Sequence, residues 1–239
     1  MKMDLLPALS LSVIVLTACQ QLPLQKSAKP SPPSAHPAAT GTSMTGSEAL
    51  AALRAGNQRY LDEKKAAPLD ASDLRTSLKD NQKPFAVILG CADSRVAPEV
   101  IFDQDLGKLF VCRVAGNVTE PVMLGSIEYA VSPEHLGVPL IVVLGHTSCG
   151  AVTEAVHAAA HPAPAEGNLG ALIGQVHIGE NLPSDATAKL KTAVANNTAY
   201  HARQLLEKSS IIRDLVAQKK LRISTGIYHL DTGKVTGLR

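Results

Sequence analysis

Three nearly unbroken runs of apolar residues stand out in the middle of the chain, each bounded by glycine or proline. They cover residues 85–89, 109–114 and 140–144. Runs of five or six aliphatic residues without polar alternation are typical of strands that are buried on both faces, as in a parallel sheet. Because stretches with helical spacing of apolar residues lie between them, the pattern predicts an α/β fold with a mainly parallel central β-sheet flanked by helices.

Helices are predicted on both sides of these strands. Thr45 and Glu48 have the spacing of a capping box, so a helix is expected over about 46–63. Residues 161–184 contain glycine and proline and are predicted to be irregular. The other predicted helices cover 72–81, 98–102, 121–131, 150–160, 185–208 and 210–219, and two strands joined by a turn are predicted over 221–230 and 234–238. The pattern therefore predicts one globular domain over 46–239.

The start of the chain has the features of an export signal. Its apolar run from Leu5 to Leu16 is too short to span a bilayer as a helix, and it ends in small residues. Residues 16–19 read Leu-Thr-Ala-Cys and resemble the bacterial lipobox, in which the signal is cleaved before the cysteine and the thiol is acylated. The alternatives are an ordinary signal peptide with an incidental Cys19, or a buried N-terminal helix.

The following segment differs in composition from the rest of the chain. Five of the 15 prolines lie between residues 20 and 46, with serine and alanine among them. Such a segment cannot bury enough apolar surface to offset its ordering entropy. We therefore predict a signal peptide over 1–18, a lipidated Cys19 and a flexible tether over 19–45. The lipoprotein resemblance implies an exported protein, periplasmic or on the cell surface, and Gln20 after the cysteine implies outer-membrane anchoring if the source is Gram-negative.

Composition and charge exclude several classes of protein. An apolar fraction of 45% in 239 residues excludes a wholly disordered chain. The 23 lysines and arginines against 21 acidic residues leave a net charge of +2, and there are only seven aromatic residues. Because nucleic-acid binding depends on basic surface and on rings that stack with bases, no nucleic-acid partner is expected.

Potential metal ligands follow two of the predicted strands. Cys91 comes one glycine after the first strand, His146 comes one glycine after the third, and Cys149 stands three residues after His146. Because ligands bind beyond the carboxyl ends of strands in an open α/β sheet, these three side chains are expected at one edge. Two thiols and an imidazole suit Zn²⁺ and leave the fourth tetrahedral position open, as in a catalytic site. Buried free cysteines and a structural histidine are the alternative.

A carboxylate and a guanidinium lie close to the first of these cysteines. Asp93 stands two residues after Cys91, so it can ligate the metal or accept a hydrogen bond from a zinc-bound hydroxide. Arg95 is a fork-shaped donor that suits holding a carboxylate in place. A surface ion pair or a turn cap is the alternative for both residues.

Three segments of the chain together resemble the β-class carbonic anhydrases. They read CADSRVAPEVIFDQDLGKLFVCRVAGN (91–117), SIEYAV (126–131) and LGVPLIVVLGHTSCGAV (136–152). The resemblance covers about residues 46–239, and its most diagnostic features are a CxDxR motif followed by an HxxC motif. It implies the fold of that family, with residues 46–63 as an N-terminal helical arm, and assembly as a homodimer or a dimer-based oligomer.

The resemblance also assigns roles to individual residues. Cys91, His146 and Cys149 match the zinc ligands, and Asp93 with Arg95 matches the dyad that orients the zinc-bound water. Gln104 resembles a glutamine that donates a hydrogen bond to the substrate. The implied activity is that of a carbonate dehydratase, a zinc lyase that hydrates carbon dioxide reversibly to bicarbonate and a proton by attack of zinc-bound hydroxide.

Two alternative functions remain open at this point. Similar zinc enzymes hydrolyse carbonyl sulfide or carbon disulfide with the same ligands, and channel shape decides between these substrates and carbon dioxide. A tethered binding protein with a structural zinc is the other alternative, although such a site has no need of the dyad. Of the remaining candidates, Cys112 is expected in the core, His157 and His161 are not expected to form a second metal site, and the possible proton relays are His135, His177, His201 and His229.

Overall fold

A computed structural model describes residues 42–64, 72–162 and 167–239. The predicted signal peptide, Cys19 and all but the last four residues of the predicted tether lie outside the described residues. None of the helices in the described ranges is both long and apolar enough to cross a membrane.

The described chain is built around a five-stranded sheet in the order β2-β1-β3-β4-β5. The first four strands are parallel, and β5 runs antiparallel to β4. The prediction of a mainly parallel sheet is therefore confirmed. The strands are β1 (Ala86–Gly90), β2 (Leu109–Arg113), β3 (Leu140–His146), β4 (Arg222–Tyr228) and β5 (Val235–Thr236).

Helices flank the sheet close to the predicted positions. They are α1 (Gly46–Leu61), α2 (Ser72–Leu78), α3 (Pro98–Ile101), α4 (Pro121–Val131), α5 (Gly150–Ala160), α6 (Leu169–Ile173), α7 (Ala186–Lys208) and α8 (Ser210–Ala217), with a 3-10 turn at Ala115–Asn117. The prediction of irregular structure over 161–184 is wrong at α6. Its Leu172 and Ile173 pack against buried residues near the carboxyl ends of the strands, and this tertiary contact outweighs the weak local signal.

The central strands β1 and β3 are buried at every position, as their apolar runs indicate, whereas β2 and β4 are only partly buried. On one face of the sheet, Leu50 and Leu53 of α1 pack with Ile88 and Val142. On the other face, the alternate strand residues pack with α4, α7 and α8, and this layer includes Cys112, as expected. Burial raises the pKa of the Cys112 thiol to about 11, so the side chain behaves as a small apolar group.

The start of α1 is formed by the predicted capping box. The Thr45 hydroxyl accepts a hydrogen bond from the Glu48 backbone N–H at 3.3 Å, and the Glu48 carboxylate accepts one from the Thr45 N–H at 2.7 Å. These bonds satisfy N–H groups that a helix start leaves without partners. The prediction that a helix begins at about residue 46 is confirmed.

Replacing Gly56 in α1 by alanine is expected to destabilise the fold by about 1–3 kcal/mol. A β-carbon there would overlap the backbone carbonyl oxygen of Phe102, which packs directly against the helix. Gly125 in α4 is the matched control because a β-carbon there meets nothing within 4 Å. Its replacement by alanine should leave the free energy of unfolding unchanged or raise it by up to about 1 kcal/mol. Urea unfolding of the two variants checks the difference, and equal effects would contradict the close packing of α1.

Candidate metal centre

The carboxyl ends of β1 and β3 bring the three predicted ligands together. Cys91 follows β1 directly, His146 is the last residue of β3, and Cys149 immediately precedes α5. Because β1 and β3 are parallel neighbours, both strands end at the same edge of the sheet. The sulfur and nitrogen atoms of the three side chains all lie within 4.8 Å of one another. Among the described residues, no other group of three or more histidine, cysteine and acidic side chains comes this close.

The donor atoms of this cluster fit a zinc ion. The Nδ1 atom of His146 lies 2.9 Å from the Thr147 carbonyl oxygen, an acceptor, which assigns the ring proton to Nδ1. The lone pair is then on Nε2, which is fully buried and has no hydrogen-bond partner. A buried nitrogen acceptor without a partner is costly unless it binds something. With two buried sulfurs beside it, it forms the set of soft and borderline ligands that zinc prefers.

The surroundings of Cys91 favour the thiolate form that a metal ligand needs. The hydrogen bond from the Cys149 thiol lowers the pKa of Cys91 most, and nearby backbone N–H groups lower it further, against the opposing effect of burial. One of those N–H groups belongs to Gly116, whose nitrogen lies 3.4 Å from the Cys91 sulfur. The same sharing of a proton raises the pKa of Cys149. A metal ion would displace that proton, since zinc deprotonates a coordinating thiol.

The turn between the two ligands of the HxxC motif is anchored to the end of β4. The Thr147 N–H donates to the Tyr228 carbonyl oxygen at 2.9 Å, and its hydroxyl accepts from the Leu230 N–H at 3.0 Å. Ser148 has a positive φ of 53°, which makes the sharp turn that brings Cys149 back towards His146. The two residues between the ligands thus position Cys149 through backbone geometry.

Asp93 and Arg95 form a bidentate pair beside the cluster. The Arg95 Nε and Nη2 atoms donate to the two carboxylate oxygens of Asp93 at 2.9 and 2.7 Å, and the Arg95 backbone N–H adds a third bond at 3.0 Å. The hydrogen bonds from Arg95 hold the pKa of Asp93 well below its usual range, against a smaller opposing effect of burial. Asp93 Oδ2 lies 3.9 Å from His146 Nε2. An ionised carboxylate is therefore held at the edge of the ligand cluster.

The turn cap that the sequence left open is present, because Asp93 accepts a hydrogen bond from the Arg95 backbone N–H at 3.0 Å. The dyad is not a fully exposed ion pair, and its expected role towards a zinc-bound water stays a prediction. The Asp93 side chain is only 15% exposed, whereas Arg95 is 55% exposed. A surface ion pair would leave both partners in solvent. The structure instead places the carboxylate inward, next to His146, and the arginine outside it.

Arg113 contributes to the site and was missed by the sequence reasoning. It is the last residue of β2, and its guanidinium donates to the carbonyl oxygens of Cys91 at 2.9 Å and Asp93 at 2.6 Å. These two bonds hold the segment that carries the first ligand and the carboxylate. The available signal was a lone charged residue at the end of an otherwise apolar strand.

Gln104 lies in the loop after α3 and is turned towards that loop. Its Nε2 donates to the Phe102 carbonyl oxygen at 2.7 Å. No described contact tests its expected role towards the substrate, which stays a prediction.

The structure does not select one of the four candidate proton relays. His201 is the most buried, at 1% exposure, and its Nδ1 accepts from the Thr119 N–H at 3.1 Å. Burial lowers its pKa to about 4, so it is neutral at physiological pH. His229 is hydrogen-bonded to Thr236, while the other two candidates stack on tyrosine rings, His135 on Tyr129 and His177 on Tyr200. The ring centroids of His157 and His161, which are not expected to form a second metal site, lie 4.9 Å apart.

The chain is similar to known proteins over most of its length. The model of a family described as carbonic anhydrase matches residues 86–235. The chain is 41% identical over 184 residues to carbonic anhydrase 2 of Mycobacterium tuberculosis (strain CDC 1551 / Oshkosh), which covers 77% of this chain and 88% of that protein. It is 38% identical over 188 residues to a carbonic anhydrase of Mycolicibacterium smegmatis, covering 77% and 89% of the two chains.

Solved structures show the same architecture. A Coccomyxa β-carbonic anhydrase in complex with acetazolamide matches with a TM-score of 0.63 and 27% identity, covering 79% of this chain and 86% of that one. A tetrameric β-carbonic anhydrase from Sordaria macrospora matches in fold, with a TM-score of 0.60 at 24% identity over 67% and 83% of the two chains. From its fold, its cysteine and histidine cluster and these relatives, the chain belongs to the β-class carbonic anhydrase family.

Proposed function

We propose that this chain is a zinc-dependent carbonate dehydratase, which converts carbon dioxide and water to bicarbonate and a proton, and the reverse. The observation that carries the proposal is the ionised Asp93, held by Arg95 at 3.9 Å from the ligand nitrogen of His146. A structural zinc site needs ligands alone, whereas hydration needs an acceptor that orients the attacking water. The relatives named as carbonic anhydrases, with 38–41% identity, support the same activity.

Cys91, His146 and Cys149 would hold the zinc and leave one coordination position for a small ligand. When bound, zinc supplies a Lewis acid that lowers the pKa of a water ligand towards neutrality. The protein then has to orient that water and keep it aimed at carbon dioxide.

Asp93 is the residue placed to do so. As a carboxylate without a proton it can only accept, so it would take a hydrogen bond from the attacking water and direct the oxygen lone pair at the carbon of the substrate. Arg95 acts on Asp93 in two ways, because its bonds keep the carboxylate ionised and also fix its orientation. The proton released by hydration leaves for solvent. Gln104 is proposed as a hydrogen-bond donor to the substrate.

The decisive test is stopped-flow hydration of carbon dioxide by the purified chain, with zinc measured on the same sample. We expect about one zinc per chain and a rate that is lost on removal of the metal and restored by zinc alone. A parallel headspace assay with carbonyl sulfide and carbon disulfide tests the alternative substrates. Sulfide release without hydration of carbon dioxide would replace the proposed substrate, and zinc binding without either activity would support the binding protein.

We also propose that the chain assembles as a homodimer or a dimer-based oligomer. The support is the family resemblance, together with the description of the S. macrospora structures as tetrameric.

We propose that the enzyme is an exported lipoprotein, attached to a membrane through a lipid on Cys19 and separated from it by the tether. The support is the sequence pattern of residues 1–19. Expression of the full chain in a bacterial host should give a processed form labelled by radioactive palmitate. Globomycin, which blocks the lipoprotein signal peptidase, should cause the precursor to accumulate. A Cys19→Ser variant should lose the label. Processing that is unaffected by globomycin and by the Cys19→Ser substitution would contradict the proposal.

A further inference from the structure

The Gly116 turn lies directly against the first metal ligand. Its backbone N–H points at the Cys91 sulfur, with the nitrogen at 3.4 Å. Gly116 has a φ of +72°, and a β-carbon there would lie 3.1 Å from Val176 and 3.3 Å from Ala151. The turn is therefore confined from two sides, and only glycine suits both the backbone angle and the space.

Asn197 of α7 holds this turn from behind. Its side chain is buried, with 1% exposure. Its Nδ2 donates to the Gly116 carbonyl oxygen at 2.8 Å, and its Oδ1 accepts from the His177 backbone N–H at 2.9 Å. The amide thus joins the turn to the segment at 176–177, which itself packs on Gly116. A continuous set of contacts runs from α7 through Asn197 and Gly116 to the Cys91 sulfur.

We propose that Asn197 is a positioning residue of the zinc centre. By fixing the carbonyl of Gly116 it keeps the N–H of the same residue aimed at Cys91, and this hydrogen bond withdraws charge from the thiolate. Hydrogen bonds to ligating sulfurs tune the electron density that they give to a metal. The effect matters here because two thiolates donate more charge to the zinc than two imidazoles would. A zinc ion that receives more charge makes its bound water less acidic. The inference rests on zinc binding at Cys91, His146 and Cys149.

The chain contains a matched residue that makes the same kind of bridge elsewhere. Asn57 of α1 is 5% exposed. Its Nδ2 donates to the carbonyl oxygens of Ile101 at 3.1 Å and Gly233 at 3.0 Å, and its Oδ1 accepts from the Val235 N–H at 2.9 Å. None of these partners is a proposed metal ligand or a hydrogen-bond partner of Cys91. Asn57 therefore controls for the loss of a buried amide as such.

The test compares Asn197→Asp with Asn57→Asp in the otherwise unchanged chain loaded with cobalt(II). Aspartate keeps the acceptor oxygen and replaces only the donating amide. We expect both variants to lower the melting temperature. Only Asn197→Asp should move the thiolate-to-cobalt charge-transfer band to longer wavelength, because a sulfur without its hydrogen bond is a stronger donor. Its affinity for zinc, measured by competition with a chelator, should fall about 10- to 100-fold, because the loosened turn no longer holds Cys91 in its ligating orientation and this loss outweighs the stronger donation.

The proposal is overturned if the band and the zinc affinity of Asn197→Asp match those of the unchanged chain, or if Asn57→Asp shifts both to the same extent. If a buried carboxylate prevents folding, the uncharged pair Asn197→Ala and Asn57→Ala is compared by the same two measurements. An unchanged chain that takes up neither cobalt nor zinc would overturn the metal site itself. That result is distinguishable from failure of the Asn197 proposal alone, in which the chain binds metal normally and the Asn197 variant behaves like the unchanged chain.

Discussion

Replacement of Cys149 by alanine is expected to abolish zinc binding and carbon dioxide hydration. The change leaves two ligands, Cys91 and His146, in a buried cluster built for three. Because loss of a residue that only supports a ligand already costs 10- to 100-fold in metal affinity, loss of a ligand should cost more than about 100-fold. Zinc content by atomic absorption and hydration by stopped flow are measured on the same preparation.

Cys112 provides the control for this variant. It is also a buried cysteine, with 6% exposure against 2% for Cys149, but it lies on β2 and belongs to the core layer formed with α4, α7 and α8. Cys112→Ala should keep one zinc per chain and its turnover, with a modest loss of stability from the smaller side chain. Full zinc content and activity in Cys149→Ala would refute the assigned ligand set.

Replacement of Asp93 by asparagine is expected to separate zinc binding from turnover. Asparagine has nearly the shape of aspartate, so the three ligands should still bind about one zinc per chain. Its amide carries no negative charge. The NH₂ group of the amide would face an N–H of the Arg95 guanidinium, donor against donor, so the bidentate pair is lost. Since loss of one positioned hydrogen-bonding group in an active site typically costs about 10²- to 10³-fold in kcat, kcat should fall by at least about 100-fold.

A second acid–arginine pair in the chain tests whether this effect is local. Asp103 is paired with Arg59 of α1 at 2.6 Å, and its side chain is 3% exposed. Asp103→Asn should lower stability while turnover per bound zinc stays close to that of the unchanged enzyme. Unchanged turnover in Asp93→Asn at full zinc content would remove Asp93 from the proposed mechanism.

Much of the fold could be predicted from local pattern. The apolar runs mark β1 and β3 because strands buried on both faces need apolar side chains at every position, and a similar run marks the partly buried edge strand β2. The start of α1 was readable because its capping box lies within four residues of sequence. The helix α6 was missed because its five residues carry little helical signal of their own, and it forms where Leu172 and Ile173 pack, partly buried, against the core.

The candidate site, like the fold, could be predicted from the sequence only in part. Cys91 and His146 could be placed together because each stands at the carboxyl end of a strand, and parallel neighbours end at one edge. Arg113 and Asn197 could not be assigned in this way. Both donate to backbone carbonyl oxygens, and any residue supplies such an acceptor, so the sequence does not show which partner they bind, even where, as for Arg113, a lone charge marks the residue itself.

The sequence by itself determined the element types apart from α6, the ligand types and the family resemblance, since these depend on residue identity and spacing along the chain. It is also the whole basis for the predicted lipid anchor at Cys19. The tertiary structure decided which atoms meet. It placed the ligand atoms of Cys91, His146 and Cys149 within 4.8 Å of one another. It also turned Asp93 inward next to His146 and placed Asn197 behind the Gly116 turn. Those distances depend on the packing of β1, β3 and α7, whose contacts join residues far apart in sequence.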